Sequence, residues 1–193
     1  MKPLPLDFYT REDVLEISQD LLGKVLRTHI NGVYTGGIIT ETEAYRGPED
    51  QASHAFGGRR TKRNEVMYHQ GGVAYVYFIY GIHTMFNIVT NHLDIPHAIL
   101  IRAIDPLIGI EHMLKRRNKV KLNPTLAGGP GTLTEALGIE MIHNGLPLTG
   151  PEIWLEDHQI KVDNKSIITG PRVGIDYAGE DAHLPWRFIY RHQ

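Results

Sequence analysis

At 193 residues, 41% hydrophobic and 22% charged, the chain has the size and makeup of a single soluble globular domain around one core. It holds no cysteine, which excludes a disulfide framework, a thiolate nucleophile and any cysteine-ligated zinc or iron–sulfur centre. Its formal net charge of −2 supplies no general basic field, so any nucleic-acid site must be a local patch.

The opening MKPLPLDFYT has no apolar stretch followed by a small-residue cleavage site, and no run approaches about 18 uninterrupted apolar residues. The protein is therefore expected in the cytoplasm, at the nucleoid if bacterial, and neither exported nor membrane-bound. Thr10, followed by Arg11, Glu12 and Asp13, reads as a helix N-cap with a first-turn carboxylate; Val14, Ile17, Leu21 and Leu22 then recur at helical spacing up to Gly23. Residues 24–30 and 33–42 are β-rich runs joined by Asn31 and Gly32, a two-residue hairpin signal, which puts Glu43 where the second strand runs out. The polar segment 44–72 lacks periodicity and carries Arg59, Arg60, Lys62 and Arg63; a loop of that length in a compact domain is expected to be functional.

Residues 73–80 and 82–90 predict a second hairpin, with Tyr75, Tyr77 and Ile79 on one face and Tyr80 and Gly81 at the tip. Residues 98–104 predict a buried strand. Residues 108–117 predict a helix whose Lys115, Arg116 and Arg117 complement its C-terminal dipole. A short helix over 132–137 follows Gly128, Gly129, Pro130 and Gly131, and beyond Gly138 only 153–155 and 187–191 read as strands. No repeat, low-complexity tract or linker divides the chain. Hairpin-grouped strands with interspersed helices, lacking a βαβ rhythm, predict an α+β fold: one domain over 1–193, with a curved, mostly antiparallel sheet, surrounding helices and a protruding β-hairpin.

Glu41 and Glu43 stand two residues apart on one strand face, with Tyr45 beyond them. They are either a catalytic base with a neighbour or a solvated strand terminus. Arg102 lies in the apolar run 99–103, where its charge cannot be relieved by losing a proton; it either pairs with a core acid or orients water or substrate beside Glu43. Tyr75 and Tyr77 suit sheet packing first, and a tyrosine cluster beside a basic loop also suits stacking on an unpaired base. Tyr80, beside a glycine at a hairpin tip, has the exposure of a wedge for a base stack. The eleven histidines form no His-Glu-x-x-His or His-x-His pattern, and no P-loop or dinucleotide fingerprint is present, so no metal and no cofactor is expected.

The blocks ETEAYRGPED at 41–50, His54, GGR at 57–59, Thr61, Arg63 with Asn64, YVYFIYG at 75–81 through Asn87, LIRA at 100–103, Gly129 with Pro130, PRVG at 171–174 and WRF at 186–188 span nearly the whole chain. Together they resemble the alkyladenine (3-methyladenine) DNA glycosylase family. The resemblance implies Glu43 as general base, with Arg102 and the backbone carbonyl of Val173 holding the attacking water. It implies a base pocket of Tyr45, His54 and Tyr77, Asn87 as the group that clashes with the exocyclic amine of guanine, and Tyr80 as the intercalating wedge. His83 stands where some relatives have another aromatic, and 91–97 reads as a variable loop.

The implied activity is monofunctional: a damaged purine of the 3-methyladenine, hypoxanthine or ethenoadenine type is flipped from duplex DNA and its N-glycosidic bond hydrolysed, leaving an abasic site. The expected partner is double-stranded DNA containing damaged purines, bound by a monomer, with Arg59, Arg60, Lys62 and Arg63 as the phosphate-contacting set. Two other readings stay open on the residues alone. One is a non-catalytic nucleic-acid binding module; the other is a hydrolase of free nucleosides or small glycosides using Glu41 and Glu43 as a carboxylate pair.

Overall fold

The computed structural model describes residues 2–79 and 81–191; Tyr80 lies outside the described residues. Two short helices open the chain, α1 (Leu6–Tyr9) and α2 (Val14–Asp20). Thr10 does not cap α2 as expected. It closes α1, its N–H bonded to the Leu6 carbonyl, and that single turn redirects the chain so that Asp13 reaches the start of α2 in extended geometry. The Asp13 carboxylate accepts from the N–H groups of Leu15 at 2.8 Å and Glu16 at 3.4 Å, which would otherwise lack partners.

Strands β1 (Val25–Ile30) and β2 (Val33–Arg46) are joined by Asn31 and Gly32, both at positive φ (54° and 75°), the backbone of a tight hairpin turn. Next come β3 (Ala74–Ile79), β4 (His83–Thr90) and β5 (His97–Ile108), then helices α3 (Ile110–Arg116) and α4 (Pro130–Leu137). Three short strands follow: β6 (Ile153–Glu156), β7 (Ile167–Gly170) and β8 (Arg187–Tyr190). The strands form one antiparallel sheet in the order β3-β4-β5-β2-β1-β6, with β8 against the far half of β2 and β7 outside β8. The class is α+β, as expected. Strand β7 was not anticipated; it lies at the outer edge and shows only partial burial, so it carries no strong apolar alternation.

Strand β2 corrects the expectation for Glu43. It runs fourteen residues to Arg46 because both flanks are paired, by β5 on one side and by β1 and then β8 on the other. Glu43 is thus inside a doubly paired strand and not at its end. Register shifts at Gly36/Gly37 and around Glu41 bend the strand. Gly37 is required there, since a Cβ would meet the Asp105 carbonyl oxygen at 2.4 Å. The segment beyond Arg46 is also less irregular than expected, containing 3-10 turns at Phe56–Gly58 and Glu65–Tyr68.

The two-residue alternation of the strands divides chemistry from packing. Val76 of β3, Phe86 and Ile88 of β4, Ile99 and Ile101 of β5 and Ala44 of β2 enter the main core, where α2, α3 and α4 add Ile17, Met113 and Leu133. The alternate residues, Tyr75, Tyr77, Asn87, Leu100 and Arg102, face the other way and line a cavity. Residues 47–72 fold over that face on a smaller cluster including Ala55, Met67 and Tyr68.

Candidate active site

The cavity measures about 380 Å³ and is bordered by Tyr45, His54, Tyr77, Asn87, Arg102 and the Val173–Gly174 backbone. Glu43 lies beneath its wall with no solvent exposure. One carboxylate oxygen, Oε1, accepts from the Val173 N–H at 2.8 Å and lies 3.3 Å from Arg102 Nη1; the other, Oε2, accepts from the Tyr45 hydroxyl at 2.8 Å. Arg102 also donates from Nε to Glu41 Oε1 at 2.7 Å, and Arg187 reaches the same oxygen at 3.5 Å. Arg102 thus pairs with an acid, Glu41, as one of its two readings expected, and stands 3.3 Å from Glu43.

Burial raises the Glu43 pKa above the ordinary carboxylate value; the Arg102 charge, the Val173 N–H and the Tyr45 hydroxyl pull it back without cancelling the effect, and the Glu41 charge adds to the rise. His54 moves the opposite way. Burial, reinforced by the charges of Arg63 and Arg59, lowers its pKa to about 4, so the ring is neutral near pH 7. Its Nδ1 lies 2.8 Å from the Tyr75 hydroxyl, and its ring meets Tyr77 edge-on at 4.7 Å. Asn87 is buried and held by an Nδ2 bond to the Tyr75 carbonyl at 3.1 Å.

The four basic residues expected to act together are separated by their surroundings. Arg59 and Arg63 border a second cavity of about 300 Å³ that shares His54 with the first, and Arg63 lies 5.8 Å from the Tyr77 ring centre. Lys62 is exposed. Arg60 points elsewhere, forked onto Glu65 at 2.6–3.2 Å, bonded to Asp94 at 2.7 Å and set over Tyr68. The expected wedge, Tyr80, lies outside the described residues.

Two features escaped the sequence reading. Tyr177 borders both cavities and is 70% exposed, in a segment that carries no periodic signal. Arg172 and Asp50 form a fully buried ion pair behind Tyr45; both stand in the blocks that carry the resemblance, but nothing local announces that residues so far apart in the chain meet. Among the described residues, no cluster of three or more histidine and carboxylate side chains could hold a metal ion, and no helix is long and apolar enough to cross a membrane.

Comparison with known proteins gives a consistent result. The model of the family described as methylpurine-DNA glycosylase (MPG) matches residues 7–193. A protein of Chlamydia abortus, provisionally named a 3-methyladenine DNA glycosylase, is 48% identical over 187 residues, which cover 96% of this chain and 97% of the relative. A protein of Bacillus cytotoxicus with the same provisional name is 43% identical over 195 residues, covering 97% and 95%.

Proposed function

The chain belongs to the methylpurine-DNA glycosylase family, and from that membership we propose that it excises alkylated and deaminated purines from duplex DNA with water activated by Glu43. As a DNA glycosylase it is a hydrolase of N-glycosyl bonds in base excision repair. The observation that carries the assignment to Glu43 is a buried carboxylate, held by two hydrogen bonds and the Arg102 charge, beneath the wall of an aromatic-lined cavity of about 380 Å³.

A carboxylate offers about four acceptor positions. Val173 and Tyr45 occupy two on Glu43, with the Arg102 guanidinium 3.3 Å from Oε1, which leaves acceptor capacity for a water directed at the flipped nucleotide. In the reaction Glu43 takes a proton from that water, the water oxygen bonds to C1′ of the sugar, and the N-glycosidic electron pair leaves with the purine. The Val173 carbonyl and Arg102 steady the water. The developing positive charge on the sugar is met by the carboxylate, which Arg102 keeps from being fully neutralised by protonation before attack.

Purines alkylated at a ring nitrogen are cationic. Tyr45 and Tyr77 offer ring faces to that charge, and a neutral His54 does not repel it. Asn87, fixed through the Tyr75 carbonyl, is the group against which the exocyclic amine of guanine collides in this reading. Arg59, Lys62 and Arg63 meet the phosphates, and Tyr80 fills the gap left by the base. The proposed activity has no Schiff-base step, a reading supported by the lack of lysine among the described residues lining the cavity. Borohydride treatment during turnover should leave no enzyme–DNA adduct, and an adduct would show a lyase step.

The deciding experiment is release of hypoxanthine and 3-methyladenine from labelled duplex DNA without added metal, comparing the native protein with Glu43→Gln. The native protein should release base while Glu43→Gln binds lesion duplex and turns over at least about 100-fold more slowly. Undiminished release by Glu43→Gln would remove Glu43 from the mechanism. Binding without release by the native protein would favour the non-catalytic module.

A further inference from the structure

One of the donors to Glu43 is held in place from outside the cavity. The Val173 N–H follows directly on Arg172, whose side chain, like that of its partner Asp50, is completely shielded from solvent. The Arg172 guanidinium is almost fully engaged. Nη1 donates to Asp50 Oδ2 at 2.5 Å and to the Ala44 carbonyl at 2.9 Å, and Nη2 donates to Asp50 Oδ1 at 2.8 Å and to the Asp181 carbonyl at 3.2 Å. Its faces lie 4.8 Å from the Tyr45 ring centre and 5.0 Å from that of Trp186. Asp50 in turn accepts from the Arg46 N–H at 3.2 Å and the Ala52 N–H at 2.9 Å.

A buried ion pair is a poor source of stability, because desolvation offsets most of its attraction and apolar replacements of equal volume often do as well. What such a pair does supply is direction: a planar fork has few ways to satisfy a carboxylate and two carbonyls at once. Here it ties the strand segment that carries Glu43 and Tyr45 to the segment that carries Val173, and neither side chain borders the cavity. We propose that Asp50 and Arg172 are positioning residues for excision, fixing the Val173 N–H and the Tyr45 ring against the Glu43 carboxylate. The proposal rests on the reading of Glu43 as the base.

The role has a signature that loss of folding lacks. Glu43 faces Arg102 from β5, Glu41 and Tyr45 from its own strand and the Val173 N–H from the 171–174 segment, while Arg187 of β8 is paired to Glu41. The Val173 and Tyr45 bonds favour the charged carboxylate. If the clamp loosens, Glu43 protonates at higher pH, and the acidic limb of the excision profile moves up with it.

The test uses three variants of the full chain: Asp50→Asn, Arg172→Lys, and the apolar pair Asp50→Leu with Arg172→Met. Single-turnover release of hypoxanthine is measured across pH beside lesion-duplex binding and thermal unfolding, with rates referred to the folded fraction. We expect release to slow by about 10- to 100-fold, binding to change far less, and the acidic limb to rise, in the folded apolar pair as well as in Arg172→Lys. Native rates and an unmoved limb in the folded variants would overturn the positioning role. Glu43→Gln is run alongside: if it is inert, that failure concerns the clamp alone, whereas turnover by Glu43→Gln would remove the base on which the clamp acts.

Discussion

Glu43 and His54 sit a few ångströms from one cavity and are pushed by burial toward neutrality from opposite sides of the pH scale. For His54 this has a consequence in stability. Its pKa falls from 6.5 to about 4 on folding, so the neutral ring stabilises the fold above pH 6.5, and that contribution is lost as pH falls through about 4. The unfolding free energy from denaturant titration should therefore carry a His54 contribution that declines between these values by an amount of order 1–3 kcal/mol, so His54→Gln should show a shallower pH dependence than the native protein; parallel curves would mean that the ring is not desolvated. Glu43 and Arg102 stand out in the sequence as a carboxylate at the end of a β-run and a guanidinium within one, whereas Tyr45 is given a role only by the family resemblance. Arg60 is indistinguishable there from Arg59 and Arg63, since the partners that occupy it, Glu65 and Asp94, act through the folded path of the loop.

Among the elements, local signals succeed where the governing contacts are local. Asn31 and Gly32 fix the β1–β2 turn through their own backbone preferences, and the alternation in β3 correctly puts Tyr75, Tyr77 and Ile79 on one face. They fail where the deciding partner is remote: β2 runs past Thr42 only because β5 and β8 pair with it. The start of α2 is a subtler case, in which Thr10 and Asp13 both have capping chemistry and the one-turn helix α1 decides between them. Asp13→Ala should cost about 1 kcal/mol of folding stability, whereas Thr10→Ala, lacking a helix to cap, should cost appreciably less; thermal or urea unfolding of the two variants distinguishes them.

For the molecule as a whole, a formal charge of −2 and a polyanionic substrate are reconciled by segregation. Arg59 and Arg63 border the second cavity with Lys62 exposed nearby, while Arg60 has its charge met by carboxylates. Neutralising Arg59, Lys62 and Arg63 together should flatten the plot of log K against log salt by about 2–3, near 0.9 for each phosphate no longer neutralised, while Arg60→Gln should leave the slope nearly unchanged. Equal effects of Arg60 and Arg59 would show that the bonds of Arg60 to Glu65 and Asp94 open on DNA.

The bond between Glu43 and the Val173 N–H joins positions 130 residues apart, and Phe188 of β8 pairs beside them on β2. As the chain leaves the ribosome, its carboxylate is made early and the groups that aim it are made late. With Glu43 as the proposed base, the bond that holds its carboxylate in place cannot form until synthesis has passed residue 173, so base excision is the last capacity the growing chain acquires.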